Sequence, residues 1–83
     1  MKTAEDILGE LKPVFVKVFD KKDLVITMDT TANDVAEWDS LNHIQLIVAI
    51  EKHFNVRFTA TEIYEFREVR DTVRTIQKKL QGI

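Results

Sequence analysis

A chain of 83 residues with no cysteine, 14 acidic and 12 basic side chains and a net charge of −2 reads as one small domain, 1–83, that neither disulfide nor thiolate metal site can staple. Two histidines without cysteine partners do not make a structural zinc site, and a charge this near to neutral excludes a nucleic-acid binder driven by phosphate contacts. No apolar run is long enough to span a bilayer, and the charged start Met1-Lys2-Thr3-Ala4-Glu5-Asp6 is not a signal peptide, so a cytoplasmic monomer held by Leu, Ile, Val and Phe packing is expected.

Thr3 and Asp6 have the spacing of a capping box, with Asp in place of the usual Glu. Ile7, Leu11, Phe15, Val18 and Phe19 then mark one face of a first helix. Pro13 falls inside it, removes a hydrogen bond and crowds the preceding turn, so a kink near Gly9–Lys12, two short helices in series or a plain break is expected. A long connection follows. Leu24-Val25-Ile26-Thr27 has strand propensity but no partner strand, so Leu24, Ile26 and Met28 are expected to tuck inward from a loop in which Thr31 caps one helical turn. Residues 21–39 hold five acids against two bases, and loops this long in small domains are often functional.

Asp39 and Ser40 are strong N-cap residues, and they open the most apolar helix of the chain. Leu41, Ile44 and Val48, with Leu46 and Ile50, recur at spacings of three and four, and Ile47 and Ala49 widen the arc. This helix is expected to sit centrally, with Asn55 as a left-handed stop. Val56-Arg57-Phe58 is extended, Thr59 to Glu62 starts a brief helix through Ile63, Tyr64 and Phe66, and Val69, Val73, Ile76 and Leu80 define a last helix ending near Gln81, with Lys78 and Lys79 in its final turn and Gly82 beyond. The sum is an all-α fold: a small bundle of three main helices plus one short helix, with a long loop between helices 1 and 2.

Three chemistries fit Ser40. It can simply cap the helix. It can act as a nucleophile with His43, but no third group orients the imidazole, and neither a Gly-x-Ser-x-Gly elbow nor an oxyanion loop is present. It can also be an attachment point, because a phosphodiester at a helix N-terminus lies where backbone N–H groups and the helix dipole favour negative charge. The stretch Trp38-Asp39-Ser40-Leu41, followed by Ile44, Leu46, Ala49, Glu51 and Phe54 and preceded by the loop Asp29-Thr30-Thr31-Ala32-Asn33-Asp34-Val35, closely resembles the acyl carrier proteins over nearly the whole chain. The resemblance implies a protein that is not itself an enzyme. It implies that Ser40, flanked by Asp39 and Leu41, is esterified with 4'-phosphopantetheine by a phosphopantetheinyl transferase using coenzyme A and magnesium. Acyl groups then ride on the arm as thioesters, and tethering raises their effective concentration for acyl-loading and acyl-using enzymes. The acyl chain is the cargo, and Ile44, Ile50, Ile63 and Phe66 are the candidate lining of its pocket.

The chain departs from the family pattern in two places. Glu37 stands where fatty-acid carriers usually have Gly, and Trp38 precedes Asp39. Those carriers also present an acidic face after the serine, whereas Asn42, His43, Gln45, Glu51 and Lys52 are nearly neutral here. With Val48, residues Asn42, Gln45, Glu51 and Lys52 are the expected partner surface. Because rim charges set on-rate and partner choice, weak service to ordinary fatty-acid synthase enzymes and use in a dedicated fatty-acid, polyketide or other acyl pathway follow. Rival readings are an aminoacyl or peptidyl carrier and an unmodified helical interaction module. His43 and His53 are expected at the solvated surface, with His43 one turn from the arm. Tyr64, Arg67, Arg70 and Arg74 are expected to form a solvated face.

Overall fold

The computed structural model describes residues 2–81, so Gly82 lies outside the described residues. Four helices follow one another: α1 (Ala4–Phe19), α2 (Ser40–Phe54), α3 (Ala60–Glu65) and α4 (Val69–Leu80). Three are long and one is short, as the periodicities predict. Among the described residues the only β-pairing is an isolated antiparallel bridge between Thr31 and Glu68.

Local chemistry sets the ends of these helices. Thr3 Oγ1 accepts from the Asp6 N–H at 3.2 Å and Asp6 Oδ2 accepts from the Thr3 N–H at 3.1 Å, so the aspartate version of the capping box closes. Thr59 and Glu62 repeat the device at α3, with distances of 3.1 and 2.8 Å. Asp20 and Asn55 end α1 and α2 in the left-handed region, at φ 52° and 57°. Pro13 neither breaks nor divides α1, which runs unbroken through it. The carbonyl its ring would crowd and leave without a donor belongs to Gly9, which is exposed, as is Pro13. That carbonyl can tilt toward water, which limits the cost.

The core is built from Ile7, Leu8, Leu11, Phe15 and Phe19 of α1, Leu46, Ile50 and Phe54 of α2, and Val69, Val73 and Ile76 of α4. Burying each of the larger ones contributes roughly 1.5–3 kcal/mol. Helix α3 buries nothing completely and lies as a lid on the surface, with Phe66 edge-on to Phe58 at 5.2 Å. The arc of α2 is narrower than its sequence suggests. Leu46, Ile47, Ile50 and Phe54 face inward, while Leu41, Ile44 and Val48 remain 68, 55 and 45% exposed. Two other long helices and one short one cannot surround the 15-residue α2, so its second apolar row stays in solvent.

The connection between α1 and α2 is anchored at its middle. Ile26 and Val35 enter the core, Leu24 and Met28 pack on its edge, and Val25 points out. The carbonyls of Thr30 and Met28 accept the N–H groups of Val69 and Arg70, both at 2.9 Å. These are first-turn donors of α4 that lack intrahelical partners, so the loop caps a helix distant in sequence. Thr30 is buried with its hydroxyl accepting from the Thr27 N–H at 2.8 Å. Thr31 accepts from the Asn33 N–H at 3.2 Å and makes a hydrogen-bonded turn instead of the expected turn of helix. Arg70 leaves the expected solvated face to reach Asp29 at 2.6 Å.

Candidate functional site

The site is the junction between that loop and α2. Asp39 is the N-cap, in extended conformation, and its Oδ1 accepts from the Asn42 N–H at 2.9 Å. Its carbonyl accepts from the His43 N–H at 2.8 Å. Ser40 is therefore the first helical residue, and it is exposed. The aspartate takes one of the first-turn donors, which leaves the N–H groups of Ser40 and Leu41 at the positive end of the helix. Such a helix start favours a negatively charged group at its first residue.

The approach to the serine is fixed on both sides. Asn42 Nδ2 donates to the Glu37 carbonyl at 2.7 Å, and the Glu37 carboxylate faces Lys21 Nζ at 3.5 Å. Glu37, at the position where fatty-acid carriers usually have glycine, therefore ties the loop to α2 and to Lys21. Trp38 turns inward, 7% exposed, and its Nε1–H donates to His43 Nδ1 at 2.9 Å. The indole nitrogen is only a donor, so Nδ1 of the neutral ring is the acceptor and Nε2 carries the hydrogen. This bears on hydrolysis. A serine-activating histidine needs a free Nε2 and a carboxylate on Nδ1, and His43 has neither. His43 is thus half-buried against Trp38, not solvated as expected, whereas His53 does stay at the surface, 2.9 Å from Glu10.

Beside Ser40 an open groove of about 630 Å³ runs between the start of α2 and α3. Three of the four proposed lining residues, Ile44, Ile63 and Phe66, border it, together with Trp38, His43 and Tyr64. Ile50 does not: it has no exposed surface and is a core residue. Its side chain lies on the inward row of α2, and spacing alone could not separate that row from the outward one. Sequence reasoning missed Trp38 and His43 as groove residues, because their contact spans a loop–helix junction and obeys neither helical nor strand period.

The expected partner surface also divides. Gln45, Val48 and Lys52 are exposed on α2. Asn42 is engaged with Glu37, and the Glu51 carboxylate turns back to accept from the Phe58 N–H at 2.8 Å. Leu41 and Ile44 join the exposed row instead, and α2 has no acidic residue in its first turn.

The fold and the serine-bearing helix start together define a small helical carrier domain. A family model described as the phosphopantetheine attachment site matches residues 10–76. The chain is 31% identical over 74 residues to an acyl carrier protein of Phytoplasma australiense, covering 89% of this chain and 97% of that one. It is 28% identical over 75 residues to an acyl carrier protein of Borrelia garinii subsp. bavariensis, covering 90 and 94%. A solution NMR structure of holo acyl carrier protein from Geobacter metallireducens superposes with a TM-score of 0.86 at 39% identity, covering 92% of this chain and 87% of that one. This chain belongs to the acyl carrier protein family. It carries acyl groups for acyl-handling enzymes, is not itself an enzyme, and its cofactor is covalently attached 4'-phosphopantetheine. No helix among the described residues is long and apolar enough to cross a membrane.

Proposed function

We propose that Ser40 is the residue that bears 4'-phosphopantetheine, and that the chain serves a dedicated acyl pathway as a single-domain, monomeric cytoplasmic carrier. The exposed Ser40 at the start of α2, bordering an apolar groove, carries this reading. A phosphopantetheinyl transferase with coenzyme A and magnesium makes the ester: the serine oxygen displaces adenosine 3',5'-bisphosphate from the coenzyme. In this chain, the cap holds the first turn and the Ser40 and Leu41 N–H groups favour the phosphodiester charge. The groove beside them receives the apolar portion of the tethered group. The exposed row Leu41, Ile44, Gln45, Val48 and Lys52 is the surface offered to partners. It carries no acid, so enzymes that select carriers by a negative helix gain little steering from it.

The test is an intact mass after incubation with coenzyme A, magnesium and a broad-specificity transferase. One phosphopantetheinyl group is expected on the wild type and none on Ser40→Ala. A wild type that gains nothing overturns the assignment in favour of an unmodified interaction module. The pathway reading is checked separately, by comparing the holo protein with a housekeeping carrier as substrate for housekeeping ketosynthase or transacylase. Equal rates would refute the dedicated role.

A further inference from the structure

Trp38 borders the groove beside Ser40 and is packed against the core. Its indole meets Phe15 edge-on, with centroids 5.3 Å apart and planes at 82°, and lies 6.1 Å from Phe19. On the other side the His43 ring stacks on it at 26°, and the Trp38–His43 hydrogen bond sets its orientation. Behind it, Phe15, Ile7, Leu11 and Ile50 have no exposed surface. Swinging the indole aside would strip its N–H of an acceptor, break its edge contact with Phe15 and its tilted contact with Phe19, and expose a large apolar ring, and each of these opposes the motion. A group tethered at Ser40 therefore meets the edge of a clamped ring. What it finds open is the groove along α3, whose walls, Ile44, Ile63, Tyr64 and Phe66, are themselves half-buried or exposed. The groove is open to solvent, so an acyl unit lying in it is covered on one side only.

We infer that this carrier's cargo is a short-chain acyl unit held in the surface groove, and that Trp38 is the specificity-determining residue that bars long alkyl chains from the core. The inference rests on Ser40 as the attachment residue, and the experiment separates the two. Butyryl-, octanoyl- and dodecanoyl-pantetheine are installed from the corresponding acyl coenzyme A, and mass confirms each loading. Failure to load concerns Ser40 alone. On loaded protein, the rate of thioester cleavage by hydroxylamine is measured for each chain length. The rates are expected to agree within about threefold, because no additional methylene is withdrawn from water. A dodecanoyl thioester protected more than about threefold relative to butyryl overturns the inference, since a buried chain would shield its thioester by far more.

Trp38→Leu, checked for helical content, removes the plug while keeping the site apolar. It is expected to slow dodecanoyl cleavage at least about fivefold and leave butyryl unchanged, and no slowing in the folded variant refutes the role of Trp38. Should that variant not fold, the wild-type emission decides. Trp38 is the single tryptophan, so its emission maximum reports the plug directly. It is expected to stay constant across the acyl series, and a shift on dodecanoyl loading overturns the inference.

Discussion

Replacing Asp39 by alanine tests how the helix start is built. The substitution removes the oxygen that accepts from the Asn42 N–H at 2.9 Å and a negative charge from the positive end of α2. Loss of an N-cap acceptor costs typically about 1 kcal/mol, within a range of roughly 0.5–2. Asp39 is exposed, so its interaction with the dipole contributes about 0.3–1 kcal/mol and is screened by salt. Together these make Asp39→Ala about 1–2 kcal/mol less stable. For a domain of this size each kcal/mol moves the midpoint by roughly 4–8 °C, so a drop of about 5–15 °C is expected. Asp39→Asn keeps a carbonyl acceptor and loses only the charge, so it should fall by about 2–6 °C, and its deficit should shrink at high salt. Thermal unfolding followed by far-ultraviolet circular dichroism, at low and high salt, reads both. The reasoning is refuted if the alanine variant melts with the wild type, or if asparagine is as damaging as alanine.

Three further outcomes follow from the same structure. Ile50→Ala should lose about 2–5 kcal/mol in urea unfolding, because its side chain has no exposed surface, whereas Ile44→Ala, 55% exposed, should stay within about 0.5 kcal/mol; equal losses would contradict the two-row reading of α2. Gly9→Ala should stabilise by about 0.5–1 kcal/mol, since an added Cβ meets nothing within 4 Å and alanine is the better helix former; a loss would mean that relief of Pro13 depends on glycine. Acid should destabilise the fold through Asp6, Glu10 and Glu62. The Thr3 N–H holds Asp6 below its usual 3.8, Lys2 and then His53 hold Glu10 below 4.5, and the Thr59 N–H, aided by Lys79 at 3.0 Å, holds Glu62 below 4.5. Each folded value is depressed, so the stabilisation is present above the unfolded value and disappears as pH falls from about 4.5 through the folded values. Urea titrations of wild type and Glu62→Gln should converge in that window, and parallel curves would contradict the role of Glu62.

The amino-acid sequence by itself determined where the helices start, although it left open whether Pro13 divides α1. Thr3 with Asp6, Asp39 before Ser40, and Thr59 with Glu62 act within one turn, so nothing distant is needed to read them. Asn55 likewise stops α2 locally. The junction around Ser40, and with it the family, was legible for the same reason. Tertiary structure alone decided which apolar residues are core. Leu41, Ile44 and Val48 share the spacing of Leu46 and Ile50, and only the placement of α1 and α4 shows which row is covered. It also decided that loop carbonyls at Met28 and Thr30 cap α4, and that Glu51 and Asn42 spend their polar groups inside the molecule. Trp38 shows the division most clearly. Its place before Asp39 could be read from the chain, but its clamping between Phe15 and His43 is a contact among separate elements, set by how they pack and not by any local period.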